Sequence, residues 1–166
     1  MRSLLSLTAN NCLVLTIILG IVHAKRQYCG RNNTFVIYEL FDGPLIEADG
    51  SIVTNSSVAS TGIGQRWPFV GQVYNTDVKS MQTSVGTGRE LCTRLNSAQY
   101  WLCEGSYQNL YGCSGSLAFS GIFSDETSTG EYTIVGGTGN FVRARGQIND
   151  VFSYSSGYSV RTISLK

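Results

Sequence analysis

Apolar and polar positions alternate in short runs along most of the chain, and glycine, serine, asparagine and aspartate separate the runs. Alternation with a period of two over four to eight residues marks half-buried strands. After residue 24 no stretch keeps a 3.6-residue apolar period for the length of a helix. The pattern predicts eight strands, at residues 34–40, 66–75, 87–95, 98–106, 114–123, 130–135, 142–152 and 157–165, with a tight turn at Asn96-Ser97. Residues 46–64 read as a long polar excursion carrying one weak strand. Short links between short strands predict an antiparallel up-and-down order. The last strand is expected to close onto the first, because closure removes both exposed sheet edges. The expected fold class is therefore an all-β, eight-stranded antiparallel barrel, whose interior is filled by side chains or holds one small ligand. The first strand (Phe35, Val36, Ile37, Tyr38, Leu40) is apolar on both faces. Two explanations stand side by side: cover from the long 46–64 excursion, or a subunit interface.

The N-terminal stretch follows another pattern. Arg2 is followed by an apolar run over residues 12–22 and by Val22-His23-Ala24, with small or aliphatic residues where a signal peptidase reads. Eleven residues of helix span roughly 16 Å, too little for a hydrocarbon core of about 30 Å. Residues 1–24 are thus expected to be a signal peptide and residues 25–166 a single secreted, extracellular domain with no membrane anchor. Removing the peptide takes away Arg2 from the twelve Lys+Arg, which leaves eleven against eleven Asp+Glu. A net charge near zero argues against a nucleic-acid partner. A charged fraction of 14% with 11% aromatic residues argues for a folded domain rather than disorder.

The lone histidine, His23, leaves with the same peptide. This excludes Ser-His-Asp and Cys-His nucleophilic mechanisms and a histidine general base in the mature chain. Cys12 leaves too, and Cys29, Cys92, Cys103 and Cys113 remain. An even number in an exported chain reads as two disulfides. Cys92 and Cys103 face each other across the predicted hairpin, where a non-hydrogen-bonded pair holds Cα atoms about 4.5 Å apart. Cys29 is then left for Cys113; the rival pairing joins Cys103 to Cys113. No Cys-x-x-Cys spacing occurs, so no metal and no cofactor are expected. Asn32-Asn33-Thr34 and Asn55-Ser56-Ser57 are glycosylation acceptors in such a compartment, at Asn32 and Asn55.

Gly136-Gly137-Thr138-Gly139-Asn140-Phe141, followed by Ala144-Arg145-Gly146, is the most distinctive segment. Physically it is a turn after the sixth strand, in which glycines permit positive φ and close approach while Phe141 plugs one end of the barrel. A phosphate-cradling loop would need Lys-Ser or Lys-Thr after the last glycine and then a helix. The segment resembles that of dirigent proteins and their relatives in the allene oxide cyclase barrel superfamily. Val36-Ile37-Tyr38-Glu39-Leu40 is similar to the first strand of allene oxide cyclases, Gly71-Gln72-Val73-Tyr74-Asn75 to the family's second strand, and residues 115–123 to the strand before the glycine motif. Cys92 with Cys103 is similar to a cysteine pair of secreted members. The resemblance implies a barrel that assembles as a homodimer or homotrimer around a central apolar pocket.

Glu39 is the candidate catalytic residue. It shares a face with Phe35 and Ile37, and if that face lines the barrel, loss of water raises its pKa. The resemblance implies a role in stabilising charge in a cyclising substrate or in handling a quinone-methide intermediate. The opposing expectation is that it points outward or pairs with an arginine at the barrel mouth. Phe35, Ile37, Trp67, Phe69, Tyr74, Tyr100, Trp101 and Phe119 are candidates for the pocket wall. The leading functional expectation is a secreted, dirigent-like barrel, located extracellularly in a cell wall or apoplast. It would bind a small apolar ligand, phenolic or oxylipin-like, and steer its coupling or cyclisation by positioning, with a partner oxidase and little or no activity of its own. The alternative is a non-catalytic secreted interaction protein or effector that uses the barrel as a scaffold.

Overall fold

The computed structural model describes Cys29 and residues 33–40, 44–53, 62–75, 83–96 and 99–166. Residues 1–24, Asn32 and Asn55 lie outside the described residues. Eight strands run in chain order: β1 (Thr34–Leu40), β2 (Arg66–Tyr74), β3 (Ser84–Arg94), β4 (Tyr100–Gln108), β5 (Ser116–Ser124), β6 (Thr129–Gly137), β7 (Gly146–Ser153) and β8 (Tyr158–Leu165). Each pairs antiparallel with the next, and β8 returns to β1 from Thr34↔Ser164 to Leu40↔Tyr158, so the sheet is a closed barrel. β1 meets β2 only at Tyr38↔Tyr74 and Glu39↔Val73 among the described residues. Pro68, which has no N–H to donate, sits in the part of β2 that β1 does not reach.

Alternation decides which side chains enter. β1 sends Phe35, Ile37 and Glu39 inward, β7 sends Ile148, Asp150 and Phe152, and β8 sends Ser159, Arg161, Ile163 and Leu165. The outer face of β1 is only partly bare. Tyr38 packs against Tyr158 with ring centroids 6.1 Å apart, and the Tyr111 hydroxyl donates to the Val36 carbonyl at 2.7 Å. In the polar excursion Ile46 bridges to Ile52, and it bridges also to Arg66 at the start of β2.

The barrel has two unlike ends. At one, the 3-10 turns Leu110–Gly112 and Gly139–Phe141 fold across the opening. Leu110, Leu117, Ile134, Phe141, Ile148 and Ile163 fill it as a continuous apolar plug. A disulfide between Cys29 and Cys113, with Cα atoms 5.5 Å apart, ties the chain ahead of β1 to the entry of β5. The second disulfide, Cys92–Cys103, joins directly opposed residues of β3 and β4 with Cα atoms 4.0 Å apart, nearer the other end.

Several predicted boundaries move. β3 starts at Ser84 and β4 at Tyr100, and the pair Arg94↔Trp101 makes the hairpin loop wider than a two-residue turn. β7 begins at Gly146 rather than at residue 142, because the 3-10 turn and its exit occupy residues 139–145. The glycines of the motif divide their work. Gly137 ends β6, and a Cβ there would strike the carbonyls of Phe141 and Ser116. Gly139 lies at φ +57°, where a Cβ would collide with the Ser114 carbonyl, so only glycine fits. Gly136 is a correction to the sequence reading: it is a strand residue with open space around its Cα and no turn requirement.

Candidate functional site

Midway along the barrel, one cation is surrounded by three carboxyls. Arg161 of β8 sits beside Ile37 of β1 and Asp150 of β7 in the register. Its guanidinium reaches Glu39 Oε2 at 3.0 Å, Glu90 Oε2 at 2.7 Å and Asp150 Oδ2 at 3.0 Å. It also donates to the Tyr107 hydroxyl at 2.6 Å, and the Tyr132 hydroxyl donates to Asp150 Oδ2 at 3.0 Å. The rings of Tyr132 and Phe119 lie 4.9 and 5.4 Å from the guanidinium carbon. Small residues make the room. A Cβ on Gly88 would lie 2.8 Å from both Glu39 Oε1 and the Phe69 ring, and one on Gly105 would enter the Phe119 ring.

Burial sets the protonation of this layer. Loss of water pushes the Glu39 carboxyl up to about 8 against the pull of Arg161, with Glu90 and Asp150 adding to the rise. The Glu90 carboxyl is raised for the same leading reason, opposed by Arg161. Burial also drives the Tyr107 hydroxyl well above its ordinary value. For Arg161 burial works against the charge, but Asp150, Glu39 and Glu90 outweigh it and hold the guanidinium protonated. Glu39 therefore takes up its proton at a higher pH than an exposed carboxyl does. Not all the layer's oxygens are used: Glu39 Oε1 and Asp150 Oδ1 are buried without a hydrogen-bond partner. Glu90 Oε1 touches Cys92 Sγ at 3.3 Å. That sulfur is bonded to Cys103 and has no proton to give, and both sulfurs are spent in the disulfide, so Glu90, Cys92 and Cys103 do not make a metal site.

Above the charged layer the barrel mouth forms a narrow, half-open cavity with about 20 Å³ of free space, room for about one water molecule. Trp67, Trp101, Phe123 and Phe152 form its walls, Tyr132, Asp150 and Arg161 its floor, and Ser159 and Asp125 add polar points. Phe152 stands edge-on to both Trp67 and Phe123, with centroids 6.0 and 6.3 Å away. The rim is pinned by Asp125 in the β5–β6 turn. One of its oxygens accepts from the Trp101 indole N–H at 2.8 Å and the other from the Tyr154 hydroxyl at 2.9 Å, which links three hairpins across the mouth. Behind Trp101, Arg94 stacks 5.4 Å from the indole and donates to Gln65, whose amide donates in turn to Glu47.

The residues expected to line a pocket separate into three groups. Trp67 and Trp101 are in the cavity wall. Phe35, Ile37, Phe69 and Phe119 are buried, but in the packed interior below the cavity rather than in its wall; Phe119 stacks on Tyr107 at 5.0 Å. Tyr74 is half-buried at the far end of β2, and Tyr100 is 37% exposed on the outer face. Tyr100 and Trp101 are consecutive in one strand, so only one of them can point inward. Glu39 faces the barrel interior and pairs with an arginine, yet it lies behind Arg161 and does not reach the cavity wall. Sequence reading missed Arg161, Asp150, Glu90, Tyr107 and Tyr132. The signal was present: Arg161 keeps the inward parity of Ile163 and Leu165, and Asp150 that of Ile148 and Phe152.

No protein-family profile and no curated protein matches the sequence. Solved structures do match the fold. Pyocyanin demethylase superposes with a TM-score of 0.59 at 14% identity, covering 81% of this chain and 100% of its own. Two pterocarpan synthase dirigent proteins, GePTS1 and PsPTS1, superpose with TM-scores of 0.57 and 0.58 at 15% and 14% identity. They cover 80% of this chain in both cases, and 80% and 90% of their own lengths. The chain therefore shares the fold of these barrels. Among the described residues no helix is long and apolar enough to cross a membrane.

Proposed function

We propose that this chain is a secreted ligand-holding barrel that takes a small, largely apolar molecule at its mouth and steers that molecule's coupling or cyclisation. The carrying observation is the floor of the cavity. A fully buried Arg161–Asp150 pair, with Asp150 Oδ1 lacking any partner, meets a wall of four aromatic rings. Leaving a buried carboxylate oxygen unpaired costs about 1–3 kcal/mol, and a bound donor would recover it. Aromatic walls with a few convergent polar groups are the usual make-up of small-molecule sites. The wall residues orient the ligand, Asp150 and Tyr132 hold its polar end, and Glu39, through Arg161, keeps the floor close to charge balance. Catalysis of this kind works by restricting geometry, so any oxidation falls to a partner oxidase. Both disulfides suit an oxidising, extracellular setting.

Native mass spectrometry of the protein purified from its producing cells tests the reading. A small aromatic molecule should travel with the wild type and be lost from Trp101→Ala. A ligand-free wild type that also fails to take up any small aromatic added in excess would overturn it.

A further inference from the structure

The mouth is too full to admit an aromatic molecule as it stands, since its free space of about 20 Å³ matches one water. A polar group nevertheless lies unused inside it. Ser159 is 1% exposed and lines this space, and its hydroxyl makes no hydrogen bond among the described residues. Ser159 is the direct cross-strand partner of Phe152, and both point inward, so the Phe152 ring stands beside that hydroxyl. Phe152 is in turn braced from the solvent side. Tyr154, 56% exposed, stands edge-on to it with centroids 4.8 Å apart and donates its hydroxyl to Asp125 Oδ1 at 2.9 Å. Asp125 is the fixed member of this contact: Trp101 donates to its other oxygen, and its own N–H donates to the Gln99 carbonyl at 3.0 Å. Tyr154 is the movable member. It begins the exposed turn between β7 and β8, and water can replace its hydrogen bond when the ring swings out. The Phe152 backbone need not follow, because its N–H is held by the Ser128 carbonyl at 2.9 Å. Rotation about the side chain is enough to clear the space over Ser159.

Resting on the ligand-site reading above, we infer that the mouth is a latched gate: the ligand seats against the Ser159 hydroxyl in space that the Phe152 ring vacates, and the Tyr154–Asp125 hydrogen bond keeps that ring shut between ligands. Two consequences are measurable. The closed form dominates, so the apparent affinity is reduced by the fraction that is open. Entry follows opening, so the association rate levels off at the opening rate instead of rising without limit as ligand is added.

Stopped-flow quenching of the Trp67 and Trp101 fluorescence by 4-nitrobenzyl alcohol, a neutral nitroaromatic with one hydroxyl, tests this. The wild-type rate should reach a plateau as the probe is raised. Tyr154→Phe keeps the ring and removes the latch; it should raise the plateau and tighten binding, each about five-fold, the worth of one hydrogen bond of the closed form. Phe152→Ala removes the gate itself, and its rate should rise linearly with the probe. Ser159→Ala should erase the wild type's preference for 4-nitrobenzyl alcohol over 4-nitrotoluene. A wild-type rate linear in the probe, or a Tyr154→Phe rate equal to that of the wild type, would overturn the gate and leave the ligand site standing. Binding by Phe152→Ala but not by the wild type would make Phe152 fixed core and overturn the gate as well. An unchanged preference in Ser159→Ala would overturn the place given to Ser159. Failure of both the wild type and Phe152→Ala to bind would overturn this inference and the ligand site together.

Discussion

The two ends of the barrel are made of different material. The closed end is apolar, is crossed by two 3-10 turns, and carries the disulfide that spans 84 residues of chain. The open end is aromatic, is pinned by a single carboxylate at Asp125, and rests on a buried charge layer. The conspicuous motif, residues 136–141, belongs to the closed end. The cavity is assembled from one residue each of β2, β3, β4, β5 and β6, two each of β7 and β8, and Asp125 of the β5–β6 turn. A distinctive motif here marks where the fold is sealed, and the chemistry lies at the opposite end. The contrast predicts that damage to the closed end costs stability while damage to the mouth costs binding.

The largest effect belongs to the closed end. Replacing Cys29 and Cys113 together with serine releases an 84-residue loop, and the chain-entropy relation gives about 4–5 kcal/mol of destabilisation. Urea unfolding measures it, and ligand affinity of the folded fraction should not change. Next is the layer between the ends. Arg161→Met leaves three carboxyls buried without their cation, which costs about 3–5 kcal/mol at pH 8. The cost should be smaller at pH 4.5, because burial raises the proton affinity of Glu39 and Glu90. A loss independent of pH would mean that Arg161 acts through packing alone.

The wild type should also become less stable as pH rises. Glu39 in the folded chain holds its proton up to about 8, against an ordinary value of 4.5, so the folded state binds more protons between these limits. Its contribution is fully present below pH 4.5 and is lost as pH rises through about 8, a fall of a few kcal/mol in unfolding free energy. Glu39→Gln should flatten that fall, as read by denaturant titrations at pH 5, 6.5 and 8. The smallest effect on stability, and the largest on the ligand, belongs to the rim. Trp101→Phe removes the hydrogen bond to Asp125 and costs about 1 kcal/mol. It should weaken ligand binding by more than that, because wall and latch are altered together.

Most strands were legible because apolar and polar positions alternate along them, and closure followed from the need to remove exposed sheet edges. Cys92 and Cys103 were legible because a hairpin fixes which residues oppose each other. Glu39 could be placed inward from Phe35 and Ile37, its neighbours of equal parity. What could not be read was partnership. Nothing local in β8 says that Arg161 meets carboxyls from β1, β3 and β7, since those contacts depend on barrel register and on the space left at Gly88 and Gly105. Nor does aromatic content tell wall from core. Phe69 and Phe119 are as aromatic as Trp67 and Phe152, and only their height along the barrel puts them beneath the charged layer instead of above it.

The two tryptophans of the chain, Trp67 and Trp101, both stand in the cavity wall, which gives the central claim a direct reporter. In a ¹H–¹⁵N spectrum, titration with a small aromatic molecule should shift both indole N–H signals and the amides around Phe152 and Asp125. The amides of Gly139 and Phe141 at the closed end should stay still. Movement at the closed end with silent indoles would contradict the account.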